Sequence, residues 1–163
     1  MNKFVDYAGN DIIYVGCPAC EYAKHKFEVP CGMVYEDKYL TVTQDWELPI
    51  PGMMIVSPKR HVEYLSELTP IERNHVFSVV NDVIIILRRE GFVSGANVIF
   101  EEKKDRHLHV WILPRDGWKE RGIDPTKDIR ELQRFAIENM KTVENITKIN
   151  NIAEILRKNL SNR

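Results

Sequence analysis

His107-Leu108-His109-Val110-Trp111-Ile112-Leu113-Pro114-Arg115 is the stretch on which the fold turns. Side chains alternate across a β-strand, so His107, His109, Trp111 and Leu113 share one face, while Leu108, Val110 and Ile112 share the other. The second face is apolar and suits a core. The first presents two imidazoles, and residues two apart on a strand are separated by roughly 6.5–7 Å, close enough to address one site. A charged turn, Glu102-Lys103-Lys104-Asp105-Arg106, precedes this strand, and Ala96 to Glu101 before the turn reads as its hairpin partner.

Upstream lies a long helix. Thr69-Pro70-Ile71-Glu72 can form a capping box with proline at the first helical position. Val76, Val79, Val80, Val83, Ile86 and Leu87 then fall on one face, and Gly91 suits the stop. Further upstream, Met33-Val34-Tyr35, Leu40 to Thr43 and Met53 to Val56 read as antiparallel strands, with a turn at Glu36-Asp37-Lys38 and a proline-containing loop from Asp45 to Pro51. Downstream, Asp124-Pro125 is expected to open a helix bearing Ile129, Leu132, Ala136 and Met140, and Ile149, Ile152, Ala153, Leu156 and Leu160 carry the helical pattern on. This order predicts an α+β fold with an antiparallel sheet.

The chain has 163 residues, enough for one domain with its own core, and no repeat, low-complexity tract or linker divides it. With 23 Lys plus Arg against 24 Asp plus Glu, it has no overall basic field to attract nucleic acid or an anionic membrane. No apolar run approaches the ~18–20 residues of a membrane span, and no apolar leader opens the chain, so a cytoplasmic location is expected. Its three cysteines are an odd number, with Cys17 and Cys20 in a Cys-Pro-Ala-Cys pair, which argues against a disulfide framework. The strand-then-helix setting of a thioredoxin-like redox pair is missing, so a tetrahedral Zn²⁺ site is the better reading. Two further ligands are then needed. Proximity in sequence would favour His25 or Cys31, while His75 falls inside the capped helix as a surface or packing residue.

The His-Leu-His-Val-Trp pattern running into Leu113-Pro114-Arg115 resembles the histidine-triad (HIT) superfamily of nucleotidyl hydrolases and transferases. The resemblance extends upstream through Val34-Tyr35-Glu36-Asp37, Asp45, Pro51 to His61, Leu68-Thr69 and Glu72, covering roughly residues 17–115. It implies a HIT-like fold with a sheet of about five strands and one long central helix, carrying a C-terminal helical extension over about 124–160 in a single 1–163 domain. The resemblance further implies that His61 and His107 complete a structural zinc site with Cys17 and Cys20. His109 would attack the α-phosphorus of a nucleotide to give a nucleotidyl-histidine. A carbonyl accepting the proton of its other ring nitrogen would set the tautomer. Asp45 would hold the ribose, and Trp46 would wall the base. A homodimer is also implied.

Three features depart from the family pattern. Trp111 stands where the third His belongs, and indole can donate a hydrogen bond but cannot act as an acid. Glu101 falls near an Asn that contacts phosphate, where a carboxylate repels the substrate unless turned away or neutralised. The loop from Glu102 to Arg106 is short, although Lys103, Lys104 and Arg106 bring positive charge. The expected activity is therefore nucleotidyl hydrolysis or transfer on a dinucleoside polyphosphate, nucleotide sugar or nucleoside phosphoramidate. The alternative is a zinc-stabilised nucleotide-binding module with impaired catalysis.

Overall fold

The computed structural model describes residues 1–104 and 106–162, so Asp105 of the charged turn and the final Arg163 lie outside the described residues. Five strands form one antiparallel sheet: β3 (Tyr35–Glu36), β4 (Leu40–Gln44), β5 (Met54–Pro58), β6 (Ala96–Glu101) and β7 (His109–Pro114), in the order β3-β4-β5-β7-β6. An additional hairpin, β1 (Asn2–Val5) with β2 (Asp11–Tyr14), and the short helix α1 (Pro18–Ala23) precede it in the chain. The helices α2 (Pro70–Arg89), α3 (Ile129–Asn139) and α4 (Val143–Leu160) complete the fold.

The sheet is covered on two sides, as the alternation in β7 requires. Leu108, Val110 and Ile112 join Leu40, Val42, Val56, Val79, Val83 and Leu156 in the larger core, between the sheet, α2 and α4. Leu113 and the flank of Trp111 pack against a second core built from Met53, Trp118, Leu132 and Ala136. The C-terminal segment thus serves both sides. Each fully buried Val or Leu contributes roughly 1.5–3 kcal/mol of transfer free energy, so the stripe on α2 is sufficient reason for that helix to lie on the sheet.

The capping box forms as expected, with Glu72 N donating to Thr69 Oγ1 and Thr69 N to Glu72 Oε2. Arg60 grips the same carboxylate through Nε at 3.0 Å and a terminal nitrogen at 2.7 Å, tying the chain after β5 to the start of α2. Gly91 closes the helix at φ 72°, a conformation that costs glycine little.

Two local expectations need correction. The strand expected from Met33 is shorter, because the carbonyls of Cys31 and Met33 accept hydrogen bonds from Arg157 of α4, leaving β3 with two residues. The turn after it forms where expected and centres on Asp37, whose Oδ1 accepts from the amides of Tyr39 and Leu40. The helix expected from Asp124 begins at Ile129, because Asp124 Oδ1 accepts from the amide and hydroxyl of Thr126 and holds a turn there instead. Helices α3 and α4 are separate, and the side chain of Thr142 caps the second by accepting from Asn145 N. Among the described residues no helix is long and apolar enough to cross a membrane.

Candidate active site and metal centre

Cys17 stands just before α1 and Cys20 lies within it, so the two thiols project from one turn of chain. His61 follows β5, and His107 precedes β7. The structure brings one donor atom from each of these four residues within 4.8 Å of the others. Cys17 Sγ lies 3.3 Å from His107 Nδ1, and Cys20 Sγ lies 3.4 Å from the Nδ1 atoms of both His61 and His107. Ligands on a tetrahedral Zn²⁺ at ordinary Zn–S and Zn–N lengths sit ~3.4–3.8 Å apart, so this Cys₂His₂ cluster fits a metal site.

The protonation states suit that use. His107 Nε2 donates to the Pro58 carbonyl at 2.7 Å, which turns the Nδ1 lone pair toward the thiols. Burial pushes the His107 imidazole down to about 4 despite that hydrogen bond, so it is neutral at ordinary pH. Burial, with Cys17 close by, pushes the Cys20 thiol up to about 12, so a bound cation is needed to hold it as thiolate at ordinary pH. The competing ligands lie elsewhere. His25 Nε2 faces the Glu36 carboxylate at 3.1 Å, and Cys31 Sγ faces the Gly32 carbonyl at 3.8 Å. His75 packs edge-on to the Tyr39 ring and contacts Asp37 at 2.5 Å.

Beside the cluster opens a cleft of about 820 Å³, lined by Asp45, Trp46, Glu101, His109 and Trp111 among others. All five residues that the sequence suggests for catalysis or substrate contact therefore reach one space. His109 Nδ1 lies 3.1 Å from the His107 carbonyl, so Nδ1 carries the hydrogen and Nε2 is the outward nitrogen. Nε2 in turn meets Glu101 Oε2 at 2.8 Å, and Glu101 is the direct cross-strand partner of His109. The carboxylate expected against phosphate is thus turned onto the imidazole. The Trp111 ring lies 5.9 Å from that of His109, centroid to centroid.

Asp45 follows β4, and its Oδ1 accepts from the amides of Glu47 and Leu48 at 2.9 Å each. That is a loop-holding role, which the carboxylate combines with its place in the cleft wall. Burial pushes its carboxyl up to about 6, against the opposing effect of those two amides. Trp46 is fixed by aromatic neighbours: it stacks on Phe4 at 5.5 Å and 16°, with Tyr22 and Phe27 edge-on at 5.1 and 5.6 Å. The hairpin that carries Phe4 is anchored to the same loop by Tyr7 N donating to the Trp46 carbonyl.

Sequence reasoning missed further cleft residues, among them Gln133 and Glu63. Gln133 arrives from α3, and Glu63 from the segment after His61. The only sequence signal for Gln133 was its position one residue past the inward-facing Leu132, which says nothing about which loop α3 would cover. Arg106, noted for its charge alone, also lines the cleft.

A five-stranded antiparallel sheet carrying His109 at the start of β7 and His107 just before it, with a long capped helix behind, defines a histidine-triad type of fold. The HIT domain family model matches residues 26–118, and the chain belongs to that family. It is 30% identical over 95 residues to an asymmetrical bis(5′-nucleosyl)-tetraphosphatase of Schizosaccharomyces pombe, covering 55% of this chain and 52% of that protein. The match to the protein called hit of Bacillus subtilis is also 30% over 95 residues, covering 55% of this chain and 66% of that one. This chain therefore spans about half the length of the fission-yeast relative. Among solved structures, a zinc-bound histidine triad family protein from Mycobacterium smegmatis superposes with a TM-score of 0.63 over 90% of this chain and 94% of that one, at 19% identity, which is a likeness of fold.

Proposed function

We propose that this chain, acting as one domain over residues 1–163, is a nucleotidyl hydrolase or transferase that works through a nucleotidyl-histidine at His109. Its substrate is a dinucleoside polyphosphate, a nucleotide sugar or a nucleoside phosphoramidate. The observation that supports the reading is the 3.1 Å contact from His109 Nδ1 to the His107 carbonyl, which leaves Nε2, the nitrogen toward the cleft, as the candidate nucleophile. In the first stage Nε2 bonds to the α-phosphorus and the bond to the leaving group breaks. In the second, water or another acceptor bonds to phosphorus and Nε2 is released.

The surrounding residues take roles that their positions support. Asp45 receives the ribose hydroxyls, Trp46 walls the base, and Trp111 with Glu101 flanks the phosphate and leaving group. Cys17, Cys20, His61 and His107 would hold zinc. Four protein ligands close the tetrahedron, so the ion's contribution is to fold, pinning α1 and the segment after β5 to the start of β7. A homodimer and a cytoplasmic location accompany this reading.

Intact-protein mass spectrometry after brief mixing with separate pools of the three substrate classes tests it. A nucleotide-sized adduct that is lost in His109→Ala is expected; turnover that survives that substitution refutes the assignment. One observation favours a second reading, a nucleotide-binding module with impaired catalysis: Glu101 sits on the nitrogen that must attack, and Trp111 replaces the third histidine. That reading expects calorimetric binding of a mononucleotide with no product from any pool.

A further inference from the structure

When His109 Nε2 displaces a group from phosphorus, the departing oxygen or nitrogen needs a proton unless it is already stable as an anion. Trp111 cannot supply it, since the indole N–H is a donor only and is not an acid in water. Beside His109 on the same sheet face is a group that can carry a proton. Glu101 lies directly across from it in the β6–β7 pairing, with Oε2 2.8 Å from Nε2. The Nδ1 hydrogen is already given to the His107 carbonyl. Two lone pairs at 2.8 Å repel, so the Nε2···Oε2 contact holds one proton between its atoms.

We propose that Glu101 is the general acid of this site, protonating the leaving group that His109 expels; the proposal rests on the nucleotidyl-histidine reading above. In this step the shared proton sits on Oε2, and Nε2 turns to phosphorus with its lone pair free. Nε2 then forms the N–P bond, the electron pair of the broken bond goes to the leaving atom, and the Oε2 proton follows it. Glu101 is left as the carboxylate. In the second stage that carboxylate accepts a proton from water as the water oxygen bonds to phosphorus, and the N–P electron pair returns to Nε2. One proton leaves with the first product and one is recovered from water, so the site returns to its starting state. The Glu101 side chain is 49% exposed, which gives it room to turn from the imidazole to the leaving group.

The test compares two esters of each common nucleoside 5′-monophosphate, one with para-nitrophenol and one with unsubstituted phenol. The first releases a stabilised phenolate; the second depends more on protonation. Single-turnover rates of the first stage are measured in wild type, Glu101→Gln and Glu101→Asn. The expected result is a loss of about 10²–10⁴-fold on the phenyl esters and less than about tenfold on the para-nitrophenyl esters. The ratio of two substrates on one protein sample does not depend on how much of it is folded. Equal losses on both esters, or none on either, overturn the role of Glu101 while leaving His109 as nucleophile. A wild-type protein that releases neither phenol and forms no adduct overturns the nucleotidyl-histidine reading, and this proposal with it.

Discussion

The carbonyl of His107 and the Nδ1 of His109 are 3.1 Å apart, so the residue whose own Nδ1 faces Cys17 and Cys20 also orients the imidazole two positions along. The Cys₂His₂ cluster and the cleft are therefore mechanically joined through one residue. His109→Ala is expected to abolish adduct formation while changing unfolding free energy by no more than about 1 kcal/mol, because its half-buried side chain is not part of either core. Urea unfolding beside the adduct assay checks both halves. A large stability loss would mean that the missing adduct reports unfolding rather than chemistry.

Removing the metal ligands should act in the opposite way, on fold before chemistry. Cys17→Ala leaves three donors of the Cys17, Cys20, His61 and His107 cluster. The expected cost is at least about 2 kcal/mol, or a melting temperature lower by roughly 4–8 °C for a chain of this size. Elemental analysis of the purified protein should find one zinc per chain, and a strong chelator should lower the melting temperature of wild type but not of the variant. A melting curve indifferent to both treatments would show that the cluster binds no stabilising metal.

Much of this arrangement is legible in the sequence where it depends on short-range pattern. The alternation from His107 to Leu113 is readable because each face of β7 meets a different core, and α2 is readable because its cap, stripe and terminal glycine agree. The pairing of Cys17 and Cys20 with His61 is not readable from spacing, which favours His25 and Cys31; only the family resemblance points to it. The first hairpin escapes notice because its strands are short and mostly exposed, and its value lies in a distant contact, Phe4 on Trp46. The turn of Glu101 onto His109 depends on cross-strand register and rotamer, neither of which residue identities disclose.

The proposed role of Asp45 in holding the ribose predicts that nucleotide affinity depends on pH. Burial raises its carboxyl in the folded chain from an ordinary 3.8 to about 6. The folded state thus holds a proton that the unfolded state has released, and the associated stability, full below the unfolded value, is lost as pH rises through about 6. Hydroxyl binding by the ionised carboxylate is expected to follow the reverse course, strengthening over the same interval. Calorimetric titration with the preferred mononucleotide should show affinity rising from pH 5 to pH 7, and Asp45→Asn should flatten that rise. An unchanged slope in the variant would assign the pH dependence to another group.

The C-terminal segment is expected to be part of the folded unit, and α3 allows the claim to be tested on opposite faces of one helix. Leu132 is 1% exposed among Met53, Leu113, Trp118 and Ala136, whereas Ile137 is 47% exposed. Leu132→Ala removes buried methyl groups and leaves a cavity, at an expected cost of about 2–5 kcal/mol. Ile137→Ala replaces a β-branched residue by the best helix former at an exposed position and should stay within about 0.5 kcal/mol of wild type. Because Gln133 follows Leu132 into the cleft wall, loosening α3 should also weaken nucleotide binding in the first variant alone. Equal, small effects from both substitutions in urea titrations would mean that α3 does not pack on the sheet in solution, and the second core would then have to close without it.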